Sequence, residues 1–262
     1  MAVAEIGVNS QPDAYGRIAY RGLIAWPERL QREAPMFERV LAAAPSCQIL
    51  DLGCGSGEHT RFLKSLGYDV TGLDASTSQL EGARTADPGG HYVQASLTDL
   101  GGAIPTGQGG AICVGNTLPH LCEEAEVSAF FSGLAGRLLP GAPFLLQLLN
   151  YDRILDRGER TFPLVLRPGE VEGENTVFLR LMTHHGGGRL TFSPAYLRYH
   201  PGSANPLEVI AAHDVPLRGW RRAEIETLLS ESGFGVDQVL GTMTGEAWSA
   251  TSSDLVLVAR RR

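Results

Sequence analysis

Three glycines at alternate positions, Gly53, Gly55 and Gly57, break off the apolar run 49–52 and lead into residues of helical periodicity with Phe62, Leu63 and Leu66 on one face. That order reads as strand, tight loop, helix. Glycine takes positive φ freely and carries no Cβ, so a ligand can lie against the loop backbone. The loop lacks the Gly-Lys-Ser/Thr of nucleotide triphosphate sites. Its spacing is G-x-G-x-G, not the dinucleotide G-x-G-x-x-G, and Asp51 at the strand end would repel a pyrophosphate. A ligand carrying an ammonium or sulfonium cation is favoured, with Cys54 beside it in the loop.

The second strand, 68–74, ends in Asp74, about twenty positions beyond the first glycines, where open α/β sheets place the carboxylate that accepts both ribose hydroxyls. Charge-assisted bonds of this kind contribute roughly 1.5–3 kcal/mol each. Together Asp51, the three glycines, Asp74 and the adjoining Ala75 describe a site for an adenosine with a cationic tail. S-adenosylmethionine is such a ligand.

The run Leu50-Asp51-Leu52-Gly53-Cys54-Gly55-Ser56-Gly57 resembles the first motif of the class I S-adenosylmethionine-dependent methyltransferases, and the resemblance extends over at least 48–150. It implies a cofactor converted to S-adenosylhomocysteine, an adenine edge held at Ser96 and Leu97, and Val114 and Gly115 beside the cofactor at the end of the fourth strand. Residues 115–121, Gly-Asn-Thr-Leu-Pro-His-Leu, are similar to the Gly-Asn-Ser-x-x-His-Leu of the glycine and sarcosine N-methyltransferase group. Residues 150–155, Asn-Tyr-Asp-Arg-Ile-Leu, resemble the Asn-Tyr-Asp-x-Ile-Leu of the same group. The resemblance also implies an arginine for the cofactor carboxylate early in the N-terminal helix, at Arg32 or alternatively Arg29, since arginine holds a carboxylate through two parallel bonds. Glycine-methylating members carry an arginine just before the second motif for the substrate carboxylate. This chain has Leu149 there, which speaks against glycine as the acceptor.

The acceptor should meet the methyl group at the fourth strand end, because ligands in such sheets lie outside the carboxyl ends of the strands. Asn116 offers a carbonyl and an amide to orient a nucleophile, and Gly115 offers a backbone carbonyl to an amine. Tyr151 joins them as a positioning residue. His120 could position substrate, take a proton, or pin its loop to the N-terminal lid.

The elements that must hold these residues follow from periodicity and punctuation. Residues 1–16 read as a loose arm containing Tyr15. Residues 17–44 are helical in two pieces parted near Trp26-Pro27, with Tyr20 in the first, and together 1–45 would cover the cofactor as a lid. The core spans 46–160, with a third strand at 91–95, a fourth at 111–115, a fifth at 144–149 and helices at 76–85 and 123–139. Residues 161–217 form an antiparallel substrate flap with strands at 177–182, 190–199 and 207–212. Residues 218–262 complete the core through a helix at 222–230 and strands near 236–240 and 255–259. With these elements, the resemblance to the methyltransferases implies an α/β fold: a Rossmann-like seven-stranded mixed sheet with one antiparallel strand, helices on both faces and the β insertion after strand five.

A charged content of 19% and a hydrophobic content of 43% are those of a soluble globular chain, and a net charge of -7 argues against binding nucleic acid. Arg260-Arg261-Arg262 reads as a solvated tail. No signal peptide or membrane-spanning stretch stands out, so a cytoplasmic protein acting on a small molecule is expected. Neither Cys47, Cys54, Cys113 and Cys122 nor His184, His185, His200 and His213 show metal-ligand spacing, and no metal site is expected. The leading reading is methyl transfer to a small-molecule amine. The alternatives are transfer to oxygen and a non-catalytic module that only binds the cofactor; a nicotinamide enzyme fails on the glycine spacing and Asp51. Monomer and homo-oligomer both remain open.

Overall fold

The computed structural model describes residues 24–169 and 173–262. The expected arm, the first helical piece, Tyr15 and Tyr20 lie outside the described residues. Helix α1 (Trp26–Leu41) carries Pro27 in its first turn, where a missing N–H is tolerated. Then come β1 (Gln48–Leu52), α2 (Glu58–Ser65), β2 (Asp69–Asp74), α3 (Thr77–Ala86), β3 (His91–Gln94), the short α4 (Leu100–Ala103), β4 (Gly110–Cys113), α5 (Glu124–Ala135) and β5 (Pro143–Leu149). After α6 (Tyr151–Arg157) the chain builds a second sheet from β6 (Val165–Pro168), β7 (Asn175–Gly186), β8 (Arg189–Tyr199), β9 (Leu207–Ala212) and β10 (Val215–Arg218). Helix α7 (Arg222–Glu231) and strands β11 (Phe234–Leu240) and β12 (Asp254–Arg261) return to the first.

The large sheet runs β11-β12-β5-β4-β1-β2-β3, and β12 is antiparallel to both of its neighbours. This is the expected seven-stranded mixed sheet. Its reversed strand matters for the site. In the register Asp254 opposes Leu149, so the first residue of β12 lies at the carboxyl ends of the parallel strands.

Both faces of the sheet are covered, so its strands are apolar almost throughout. Ile49, Ile112, Leu145 and Val256 pack with Met36, Phe37 and Val40 of α1 and Leu63 of α2. Leu50, Ala111, Phe144, Leu146 and Leu257 join Phe130, Phe131 and Leu134 of α5 and Leu228 and Leu229 of α7. The flap sheet enters this second core through Met182, Leu190, Val215 and Leu217. Trp220, fully buried, donates its indole N–H to the Leu121 carbonyl at 2.9 Å and carries the Arg218 guanidinium 3.7 Å above its ring. The end of the flap is thereby tied to the loop that follows β4.

Three local expectations change. The flap gains β6 and β10, four-residue segments that each contain a proline and an arginine and become strands by pairing with β7 and β8. Leu66 is 38% exposed, and α2 buries Glu58, His59, Thr60 and Leu63 instead. Arg260 and Arg261 belong to β12 and are no tail: Arg260 Nε donates to Asp237 at 3.0 Å and another of its nitrogens to the Gly141 carbonyl. Among the described residues, no helix is long and apolar enough to cross a membrane.

Phe144 sits among Phe130, Phe131 and Phe234, with ring centroids 6.2, 6.2 and 5.7 Å away. Phe144→Ala is expected to lower the unfolding free energy by about 3–5 kcal/mol. Urea titration measures this, and a loss under about 1 kcal/mol would show that the second core does not hold the sheet.

Candidate active site

A cavity of about 1040 Å³ runs along the carboxyl edge of the large sheet. Read across the strands, its wall takes Ser96 and Leu97 after β3, Asp74 and Ala75 at β2, Gly53 and Gly55 after β1, Gly115 and Asn116 after β4, Leu149 at β5 and Asp254 at β12. Arg29, Arg32 and Glu33 of α1 close one side. Phe162, Arg180, Met182, Phe192, Val215 and Leu217 bring in the flap.

The loop after β1 is built for close approach. Gly53 has φ +75°, and a Cβ there would overlap Thr117 Cγ2, so the loops after β1 and β4 touch only because that side chain is missing. The Gly53 and Cys54 N–H groups both donate to the Leu73 carbonyl, and the Gly55 N–H donates to Asp74 Oδ2 at 2.8 Å. The other Asp74 oxygen accepts from the Ser76 N–H at 2.9 Å. A Cβ on Gly55 would meet nothing nearer than Gln79 Oε1 at 3.6 Å, so the loop presents bare backbone to the cavity.

After β4 the chain turns through Gly115 at φ +82° and Asn116 at φ +68°, the one described residue other than glycine with positive φ. Asn116 is held there from both ends of its amide. The Leu149 N–H can only donate, so Oδ1 accepts it at 3.1 Å and Nδ2 donates to the Tyr151 hydroxyl at 3.0 Å. His120 opens onto the cavity with an exposed side chain, and the desolvation it does undergo there lowers its imidazole from the usual value.

Arg32, Gly53, Gly55, Asp74, Ala75, Ser96, Leu97, Gly115, Asn116 and His120 therefore share one wall. Five other expected residues do not reach it. Asp51 is 1% exposed and accepts from Thr60 Oγ1 at 2.7 Å, because it shares the face of β1 that carries Ile49 toward α1 and α2. Burial pushes its carboxyl up, although His59 and Thr60 pull it down. Cys54 turns into a cluster with Leu80, Ala83 and Tyr92, and burial raises its thiol well above the usual range. Gly57 caps α2 at φ +79°, where a Cβ would lie 2.7 Å from Tyr92 Oη. Val114 is buried in the core beneath α1, and its carbonyl accepts from Thr117 Oγ1. Tyr151 is wholly buried behind Asn116, and burial pushes its phenol above the usual range. It holds the loop from behind and does not face the cavity.

Three more residues on the wall, Gln147, Asp254 and Glu33, carry no local sequence signal. Gln147 Oε1 accepts the Gly115 N–H at 2.7 Å, which leaves Nε2 to donate to Asp254 Oδ1 at 2.9 Å. Burial raises the Asp254 carboxyl, while bonds from Ser253 and Gln147 and the charges of Arg29 and Arg153 pull it down. Glu33 bridges α1 to α2: one oxygen meets Arg29 Nε and the other His59 Nε2, both at 2.9 Å. Burial alone would raise the Glu33 carboxyl, but the His59 hydrogen bond and the Arg29 charge outweigh it and hold it low. Arg29 stacks over Trp26 at 5.0 Å and reaches toward Gly115. Arg32 is exposed and has no ion pair among the described residues. No group of three or more His, Cys, Asp or Glu among the described residues could hold a metal.

An adenosine with a cationic tail fits these residues. Bare glycine backbone, an acidic rim at Asp74 and a polar turn at Ser96 stand side by side, and the volume exceeds the roughly 300–1,000 Å³ of a single small-ligand site, leaving room for a second molecule. Residues 49–141 match the methyltransferase domain family. The chain is 31% identical over 142 residues to the glycine/sarcosine N-methyltransferase of Halorhodospira halochloris, which is 52% of this chain and 52% of that protein. It spans about half the length of the curated relatives it matches. Among solved structures, an amino pentose methyltransferase from Micromonospora echinaspora with S-adenosylmethionine bound superposes with a TM-score of 0.72 at 22% identity, over 93% of this chain and 95% of that one. A sugar N-methyltransferase from Streptoalloteichus sp. gives 0.69 at 20% identity, over 100% and 99%. These two likenesses establish the fold.

Gly53→Ala sets a side chain against Thr117 at a φ that costs roughly 1–2 kcal/mol for a non-glycine residue. Affinity for S-adenosylhomocysteine, measured calorimetrically, is expected to fall at least about tenfold with the circular dichroism of the fold retained. Unchanged affinity would remove the loop from the cofactor site.

Proposed function

The chain carries a class I S-adenosylmethionine-dependent methyltransferase domain, and we propose that it moves a methyl group from that cofactor to the nitrogen of a small-molecule amine. The likeness to the glycine/sarcosine N-methyltransferase of Halorhodospira halochloris carries the choice of nitrogen, and the chemistry of the loop after β4 agrees with it. A hydroxyl acceptor must lose its proton to a base whose pKa lies near the working pH, whereas an amine attacks with its own lone pair. His120, the residue placed to be such a base, is lowered from the usual value.

When bound, S-adenosylmethionine supplies a methyl group already activated by its sulfonium. The chain has to hold and align. In this reading Asp74, which rims the cavity at the end of β2 and is oriented by the Gly55 and Ser76 N–H groups, receives the ribose hydroxyls. Ser96 and Leu97 border the adenine, the Gly53 and Gly55 backbone lies under the tail, and Arg29 or Arg32 takes the tail carboxylate. Asn116 fixes the turn that aims the Gly115 carbonyl at the acceptor. The apolar side chains Leu149, Phe162, Met182, Phe192 and Leu217 exclude water from the reacting pair and favour an acceptor with an apolar body. Helix α1 serves as a lid through Arg29 and Glu33.

Methyl-labelled cofactor offered with a panel of amines and the corresponding alcohols is expected to label the amines. Labelling of alcohols alone would overturn the choice of nitrogen, and cofactor binding with no transfer would make the chain a binding module. His120→Ala tests the base directly. An imidazole lowered from its usual value is largely neutral at and above neutral pH, so its removal is expected to leave the shape of the rate profile unchanged between about pH 7 and 8. Loss of an inflection in that window would restore His120 as a base.

A further inference from the structure

We propose that Asp254 is the acceptor's anchor: its carboxylate binds the protonated nitrogen of the incoming amine and takes that proton, leaving the lone pair on nitrogen. The N–H bond breaks, an O–H bond forms on the carboxylate, and the proton returns to solvent once product leaves. This rests on the amine reading above.

Position separates Asp254 from the donor half. It opens β12, two strands beyond β4 and three beyond β1, so it lies on the far side of the Gly115 turn from the glycine loop, while the Gln147 amide links its carboxylate to that turn. Its register partner is Leu149, and the cavity it lines continues onto Phe162, Met182 and Phe192.

Charge accounting points the same way. The cations that act on Asp254 from the neighbouring helices are Arg29 of α1 and Arg153 of α6. Each is paired elsewhere, Arg29 with Glu33 at 2.9 Å and Arg153 with Glu159 at 3.0 Å. Asp254 itself accepts hydrogen bonds only from the neutral donors Gln147 Nε2 and Ser253 Oγ, and it forms no ion pair among the described residues. A carboxylate beside an apolar wall without a counter-ion of its own attracts a cation from solution. Gln147 makes the arrangement rigid. Its amide cannot flip without losing the Gly115 N–H, so Asp254 Oδ1 is locked as an acceptor and joined by one side chain to the turn where the acceptor nitrogen must arrive. Burial raises this carboxyl, which suits it to receive a proton.

The test is calorimetric titration of the complex with S-adenosylhomocysteine, using phenethylamine as the cationic probe and 2-phenylethanol as its neutral counterpart, on the native protein and on Asp254→Asn and Asp254→Glu. Asparagine keeps an oxygen for Gln147, so the wall stays intact. The native protein is expected to bind the ammonium at least about tenfold more tightly than the alcohol, and Asp254→Asn to erase that preference. Glutamate should restore part of it. Affinity for S-adenosylhomocysteine should change less than affinity for the ammonium probe in either variant, because Arg29 acts on Asp254 through its charge and no hydrogen bond or ion pair joins the two. Equal binding of the two probes by the native protein overturns the anchor, as does a preference that survives in Asp254→Asn, or a loss confined to cofactor affinity. If labelled methyl reaches amines while any of these holds, the amine reading stands and only the role of Asp254 falls.

Discussion

The site depends on one backbone constraint: two neighbouring parallel strands, β1 and β4, both end in left-handed residues. Gly53 and Gly55 after β1 and Gly115 and Asn116 after β4 all have positive φ. This turns the chain sharply off the sheet and leaves the carboxyl edge bare between them. The two turns then touch, with Thr117 filling the space where Gly53 has no Cβ. Three of these positions are glycine and accept the conformation freely. The fourth is an asparagine, so its strain of roughly 1–3 kcal/mol is offset by hydrogen bonds at both ends of its amide. Tyr151 thus matters although it never faces the cavity.

The donor half of the cavity was largely legible in the sequence because it is built from residues close together along the chain. Positive φ leaves a glycine signature, a carboxylate after an apolar run marks a strand end, and Ser76 before a helical stretch marks a cap. The individual strands and helices follow from the same local signals, while the mixed sheet with its antiparallel strand follows from the family resemblance and is the sheet observed. Motif membership did not show direction, however. Asp51 and Cys54 lie inside the glycine motif and yet point away from the ligand, one toward Thr60 and the other toward Leu80 and Ala83. Alternation along β1 decides this, and the decision depends on which face α1 and α2 cover.

The acceptor half was not legible for the opposite reason. Its polar contacts join residues far apart in sequence: Gln147 to Gly115 and Asp254, and Trp220 to the loop after β4. None of these residue types at its own position differs from ordinary surface or core chemistry until the sheet order brings them together. The flap adds Phe162, Met182 and Phe192, which in sequence are unremarkable members of strands and connections. A locally written glycine motif can therefore share a cavity with a wall that only the tertiary arrangement defines, where Leu149 is apolar and the polar groups beside it come from other strands.

The two candidate arginines on α1 show how the same logic separates equal sequence signals. Arg29 and Arg32 lie one helical turn apart and both line the cavity. Arg29 has its Nε fixed by Glu33, which is in turn fixed by His59, and its guanidinium is braced on Trp26. Its remaining nitrogens are left directed past Gly115 into the site. Arg32 is exposed and loses side-chain freedom of up to about 2 kcal/mol when a ligand immobilises it. A braced arginine has already given up that freedom on folding, so binding a carboxylate through Arg29 costs less. The Glu33–His59 contact also spans from the covering helix to the helix that starts at the glycine loop. Any ligand carboxylate drawn to Arg29 is therefore bound to a group whose position is referred, through two buried side chains, to the helix that starts at the glycine loop.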